Sequence, residues 1–153
     1  AFMKYKKIFF SLALIAAIGL PLFLFTAFQK PVGEPWTEKQ LLAPEALAQI
    51  IGNPQAEKPI ILSVGPGAVI KGSLDMGAAH EKANYEKLKR ELEKLPKDAD
   101  IVIYCGCCPF EHCPNIRPAF SLLNEMKFPN RRLLNIQHNI KTDWIDKGYP
   151  VIK

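Results

Sequence analysis

Asp100-Ile101-Val102-Ile103-Tyr104-Cys105-Gly106-Cys107-Cys108-Pro109-Phe110-Glu111-His112-Cys113 decides how this chain is read. Its first part is a β-branched apolar run that predicts a strand ending at Cys105. Its second part gathers all four cysteines of the chain within nine residues. Pro114-Asn115 then opens a helical pattern over 115–126, with Ile116, Ala119, Phe120, Leu122 and Leu123 as core candidates. Pro118 falls in the first turn, where a missing N–H costs little. A thiol between a strand end and a helix start faces backbone N–H groups and the positive end of the helix dipole. Both favour thiolate, the form that acts as nucleophile and metal ligand. Cys105 is therefore the candidate nucleophile, and Pro114-Asn115 is read as a helix opening first and a site element second.

Working outward, residues 59–64 form a continuous apolar run, the pattern of a strand buried on both faces. Gly65-Pro66-Gly67 breaks it, residues 68–70 suggest a second short strand, and 74–80 read as loop. Tyr85, Leu88, Leu92 and Leu95 keep helical spacing over 81–95 among solvated lysines and glutamates, until Pro96 stops the helix. A short helix over 43–51 carries Pro44 in its first turn. Thr37 with Gln40 resembles a capping box. Residues 132–136 predict a further strand, and 141–147 a last short helix carrying Trp144 and ended by Gly148. Strands alternating with helices indicate an α/β layer fold around a mainly parallel sheet.

The chain has 153 residues, 48% of them hydrophobic, with a formal net charge of +5. Residues 8–28 carry no charge and follow Lys4, Lys6 and Lys7. At 1.5 Å rise that run reaches roughly 30 Å, enough for a bilayer core. Met3 reads as the natural start. The lysines ahead of the run predict a cytoplasmic N-terminus and an exported remainder, placing the domain in the periplasm or another extracytoplasmic space as a single-pass inner-membrane protein. Ala27 offers one small residue for cleavage but Phe25 occupies the partner position, so a retained anchor is expected. The expected organisation is an anchor over 1–29, a linker over 30–41 and a domain over 42–153. Without the first 29 residues the charge is close to balanced, which gives a nucleic-acid partner no support.

With these elements placed, residues 42–151 resemble a rhodanese-like domain. The likeness rests on Leu42-Ala43-Pro44-Glu45-Ala46-Leu47, the strand over 60–64, Ile70-Lys71-Gly72-Ser73, the strand ending at Cys105, the helix containing Arg117, and Trp144 with Gly148-Tyr149-Pro150. The resemblance implies a three-layer sandwich and sulfur transfer through a persulfide on Cys105, with a donor such as thiosulfate and a thiol acceptor. It makes Arg117 the anion-stabilising side chain. The chain differs from the family pattern in its enlarged loop: Arg117 lies twelve residues beyond Cys105, and three more cysteines intervene. Cys107, Cys108 and Cys113 are then internal acceptors or resolving thiols, with Cys108 the leading resolving partner.

Two other chemistries stay open. Cys105 and Cys108 form a Cys-x-x-Cys pair followed by Pro109, a spacing that can close a redox-active disulfide. Cys105, Cys107, Cys108, His112 and Cys113 offer ligands suited to zinc or copper, although the spacing is compressed relative to two-knuckle zinc sites. Paired structural disulfides inside nine residues would close only tiny loops and stabilise little. His112 alone reads as a loop residue, and His80 and His138 carry little signal.

Overall fold

The computed structural model describes residues 33–153 of the chain, and within it the run Ile101–Tyr104 is sealed from solvent on every side. Along the sequence the elements are β1 (Leu41–Leu42), α1 (Pro44–Gly52), β2 (Ile60–Ser63), β3 (Ser73–Asp75), α2 (Lys82–Glu93), β4 (Ile101–Tyr104), α3 (Ile116–Glu125) and β5 (Arg131–Leu134). A single π-helical turn, Lys141–Ile145, follows. The five strands form one parallel sheet in the order β1-β5-β4-β2-β3. β4 pairs on one side with β2, Ile103 opposite Leu62, and on the other with β5, Ile103 opposite Leu133.

The two-residue period of a strand divides β4 between two cores. Ile101, Ile103 and, beyond the strand, Cys105 belong with Leu88 and Leu92 of α2 and Ile116, Ala119, Phe120 and Leu123 of α3. Val102 and Tyr104 belong with Leu47 and Ala48 of α1, Leu134, Ile136 and Trp144. Helices thus cover both faces of the sheet, as parallel strands buried on both sides require. Leu88 and Leu92 lie one turn apart, and both are wholly buried. Burial of such a side chain contributes about 1.5–3 kcal/mol relative to exposure, enough to fix the face that α2 turns inward despite its many charges.

The expected order of strands and helices holds, with three differences. Residues 68–70 do not form a strand; Ile70 makes one isolated antiparallel bridge to Val151. The strand beside β2 is instead Ser73–Asp75, in a stretch that reads as loop because it is short and half exposed. Residues 33–41, expected as a linker, form part of the compact unit Gly33–Lys153. There Trp36 packs on Phe110 and Phe120, and Leu41 pairs with Leu133. The Thr37–Gln40 cap is present, with the Thr37 N–H donating to Gln40 Oε1 at 2.9 Å. The anchor expected over residues 8–28 lies outside the described residues. Among the described residues no helix is long and apolar enough to cross a membrane.

Tyr104, immediately before Cys105, is locked by its hydroxyl. That oxygen accepts from the N–H groups of Val69 (2.9 Å) and Ile70 (3.2 Å) and lies 3.0 Å from Ser73 Oγ. Tyr104→Phe leaves those buried donors without a partner and is expected to cost about 1–3 kcal/mol. In urea unfolding the midpoint should fall while the slope is unchanged; an unchanged midpoint would show that the hydroxyl contributes nothing.

Candidate functional site

Three segments meet above the carboxyl edge of the sheet. After β2 the chain continues outward to β3, but after β4 it turns the other way to β5, so the strand order reverses between β2 and β4. In open parallel sheets the crevice beyond such a reversal is where ligands bind. Here the reversal sets the turn at Gly65 directly against the start of the loop at Cys105. Gly65 has a specific reason to lack a side chain: a Cβ there would stand 2.5 Å from Cys105 Sγ. Gly106 is constrained likewise, because a Cβ would meet Ile140 Cβ at 2.8 Å. The loop is tied down by the Phe110 N–H to Ile136 O and the Ile140 N–H to Gly106 O, each at 3.0 Å.

Cys105 Sγ lies 3.3 Å from Cys107 Sγ, and Cys107 Sγ lies 3.2 Å from Cys108 Sγ. The sulfurs of Cys105, Cys107 and Cys113 are all within 4.8 Å of one another. All four cysteines are free thiols. Among the candidates, the structure therefore brings Cys107, not Cys108, against Cys105. The bend at Cys107-Cys108 turns Cys107 back toward Cys105, whereas Cys108 reaches only Cys107. The three-sulfur cluster is compatible with a bound metal ion, but neither Cys108 nor His112 belongs to it.

Electrostatically the cluster is strongly differentiated. The Cys105 thiol is pulled down to about 5, chiefly by the Cys113 thiol, against the opposing effect of burial. The Cys107 N–H, the Asn115 side chain and the Cys107 thiol pull it down further. Cys113 is pushed well above the ordinary thiol range by its hydrogen bond to Cys105 and by burial, although the Asn115 and Ile116 N–H groups at the start of α3 act in the opposite sense. Cys107 is pushed up to about 12 by lost hydration at its sulfur and by the Cys108 and Cys105 thiols. One sulfur carries the charge, and its neighbours keep their protons to support it.

Two expectations change. Cys105 is only 1% exposed, and exposed Cys107 stands between it and solvent. Arg117 turns to other partners: its Nη2 donates to Glu34 Oε1 at 2.5 Å and to Glu111 O at 2.6 Å, and its guanidinium lies 5.6 Å from the Trp36 ring centroid. With Glu34, Trp36, Phe110, Glu111 and His112 it lines a groove beside the cysteine loop. The residue that does approach Cys105 is Asn115, whose Nδ2 donates to Sγ at 3.5 Å. Its position at the head of α3, ten residues past Cys105, was the available signal.

No protein-family model and no curated protein matches the chain. The chemistry of the site rests on its own residues.

Gly65→Ala places a methyl group where Cys105 Sγ now sits. It should destabilise the domain by about 1–3 kcal/mol, as overpacking does, and change the rate at which Cys105 is alkylated, read on its own peptide by mass spectrometry. Wild-type stability together with wild-type Cys105 reactivity would mean that Gly65 does not set the room around that sulfur.

Proposed function

We propose that this chain is an exported, membrane-tethered rhodanese-like protein that carries sulfane sulfur as a persulfide on Cys105, with Cys107 as the internal acceptor. The observation that carries this reading is the 3.3 Å contact between the two sulfurs at the strand-order reversal of a parallel sheet. The membrane tether and the export are supported by the uncharged run over 8–28 behind three lysines.

In the loading step the Cys105 thiolate attacks the outer sulfur of a donor such as thiosulfate. A bond forms between Sγ and that sulfur, the donor's S–S bond breaks, and sulfite leaves with the electron pair. In the discharge step Cys107 passes its proton to the persulfide anion and attacks the outer sulfur as a thiolate. The sulfur moves to Cys107 with the Cys107 proton, and Cys105 leaves as thiolate. A low-pKa thiol is the better leaving group, so the groups that hold Cys105 ionised favour both steps. Cys107 then presents the sulfur at the surface to a thiol acceptor, with Cys108 adjacent as a further stop.

A second reading is favoured by the three mutually close sulfurs: a soft-metal site for zinc or Cu(I) formed by Cys105, Cys107 and Cys113. The two readings separate experimentally. Incubation with thiosulfate should add the mass of one sulfur atom to the Cys105 peptide. Cys105→Ser should abolish loading, whereas Cys107→Ser should load normally and discharge to an added thiol at least about tenfold more slowly. Full loading of Cys105→Ser would move the nucleophile elsewhere. One zinc or copper per chain after anaerobic purification, with no sulfur uptake, would replace the carrier reading with the metal one.

A further inference from the structure

Asn115 is a buried carboxamide, 2% exposed, and it stands at the N-cap of α3 without capping that helix. A buried carboxamide must place its acceptor and its donor correctly, and here each end has a definite partner. Oδ1 is 3.1 Å from the backbone nitrogen of His80 and 2.7 Å from His80 Nδ1. Nδ2 is 3.5 Å from Cys105 Sγ. The assignment of O and N is ordinarily ambiguous for an asparagine, but here the His80 main chain decides it. A backbone N–H can only donate, so the atom facing it is the oxygen. The same oxygen requires a proton on Nδ1, which selects the His80 tautomer or its protonated form. The NH2 group is then forced toward Cys105.

We infer that Asn115 is the side chain that directs a hydrogen-bond donor at the Cys105 sulfur, and that His80 is a positioning residue that fixes which end of the carboxamide faces it. The inference deepens the carrier proposal by assigning the stabilising role near Cys105 to Asn115, since Arg117 is held by Glu34, Glu111 and Trp36. It applies to any chemistry in which the Cys105 sulfur acts as an anion. The other groups around that sulfur are the Cys107 and Cys113 thiols and the Cys107 N–H; Asn115 alone among the side chains is a donor that cannot itself lose a proton in the working range. His80 is at the surface, and it comes from the segment after β3, so the pair ties that segment to the head of α3.

The test is iodoacetamide alkylation of the full chain purified in detergent, followed on the Cys105 peptide across the range from about pH 4 to about pH 9. Asn115→Asp keeps the shape and the acceptor for His80 but replaces the donor with a negative charge; Asn115→Ala removes both. The directed-donor role predicts that the pH midpoint of Cys105 alkylation is lowest in wild type, higher in Asn115→Ala and highest in Asn115→Asp, with a span of about one pH unit or more, the worth of one hydrogen bond to a charged group. A purely structural Asn115 predicts the reverse, with the midpoint of the isosteric Asp variant close to wild type and that of Ala the most displaced. His80→Ala keeps the main-chain N–H and should raise the midpoint by less than Asn115→Ala does; a wild-type midpoint there removes His80 from the inference. Should the Asn115 variants fail to fold, the wild-type side-chain amide spectrum decides. Slowly exchanging Asn115 amide protons that shift when Cys105 is alkylated support the assignment, and freely exchanging ones overturn it. The assay needs no sulfur donor. An absence of thiosulfate loading alongside the predicted alkylation order would sink the carrier reading and leave the Asn115 assignment intact.

Discussion

β4 is hydrogen-bonded along both edges and covered on both faces, so its side chains have only two places to go. Ile101 and Ile103 enter the layer under α2 and α3, and Val102 and Tyr104 enter the layer under α1 and Trp144. A slip of one residue would exchange every one of them. Because both sets are fully buried, such a slip is costly on both sides at once, and the register is fixed. Cys105 inherits its place from that alternation: it follows the strand on the α2/α3 side, directly beneath the head of α3. Tyr104 reinforces the constraint by holding Val69, Ile70 and Ser73 from the opposite face.

Everything at the site follows from a sulfur being delivered there. The turn after β2 must present Gly65, because a side chain would collide with Sγ. The head of α3 supplies Asn115, and the loop turns Cys107 back over the same sulfur. Burial alone would raise the pKa of a thiol. The depression of Cys105 is therefore the work of close donors overcoming desolvation, and Cys107 and Cys113 are raised as the counterpart. The same burial places Cys105 behind Cys107, which gives the loop an order: an exposed thiol outside and an ionised one within.

The main elements were legible in the sequence because their periodicities are strong. The apolar runs over 60–64 and 101–104, the helical spacing of Leu88 and Leu92, and the apolar face of α3 leave few alternatives. β1 and β3 were not legible: two and three residues are too few to show an alternation, and Leu74 is half exposed. The bridge at Ile70 depends on Val151, far along the chain. At the site, Cys105 was marked by its place after a strand. Its partner was not, since Cys-x-x-Cys spacing suggested Cys108 whereas the path of the loop selects Cys107. Asn115 read as a helix opening because an asparagine there usually caps, and its bond to His80 joins residues 35 positions apart. The resemblance made Arg117 the partner of the anion, but Glu34, from a segment expected to be linker, holds its guanidinium.

The central claim is that one cysteine of the four is ionised in the folded domain while it is buried. Ultraviolet thiolate absorbance, followed across pH in the folded wild-type chain and in Cys105→Ser, tests it directly. Below its pKa the thiol is neutral and above it charged, so wild type should gain one thiolate's absorbance around pH 5, a step missing from Cys105→Ser. A wild-type chain whose first thiolate appears only in the ordinary cysteine range, about pH 8.5, would contradict the account.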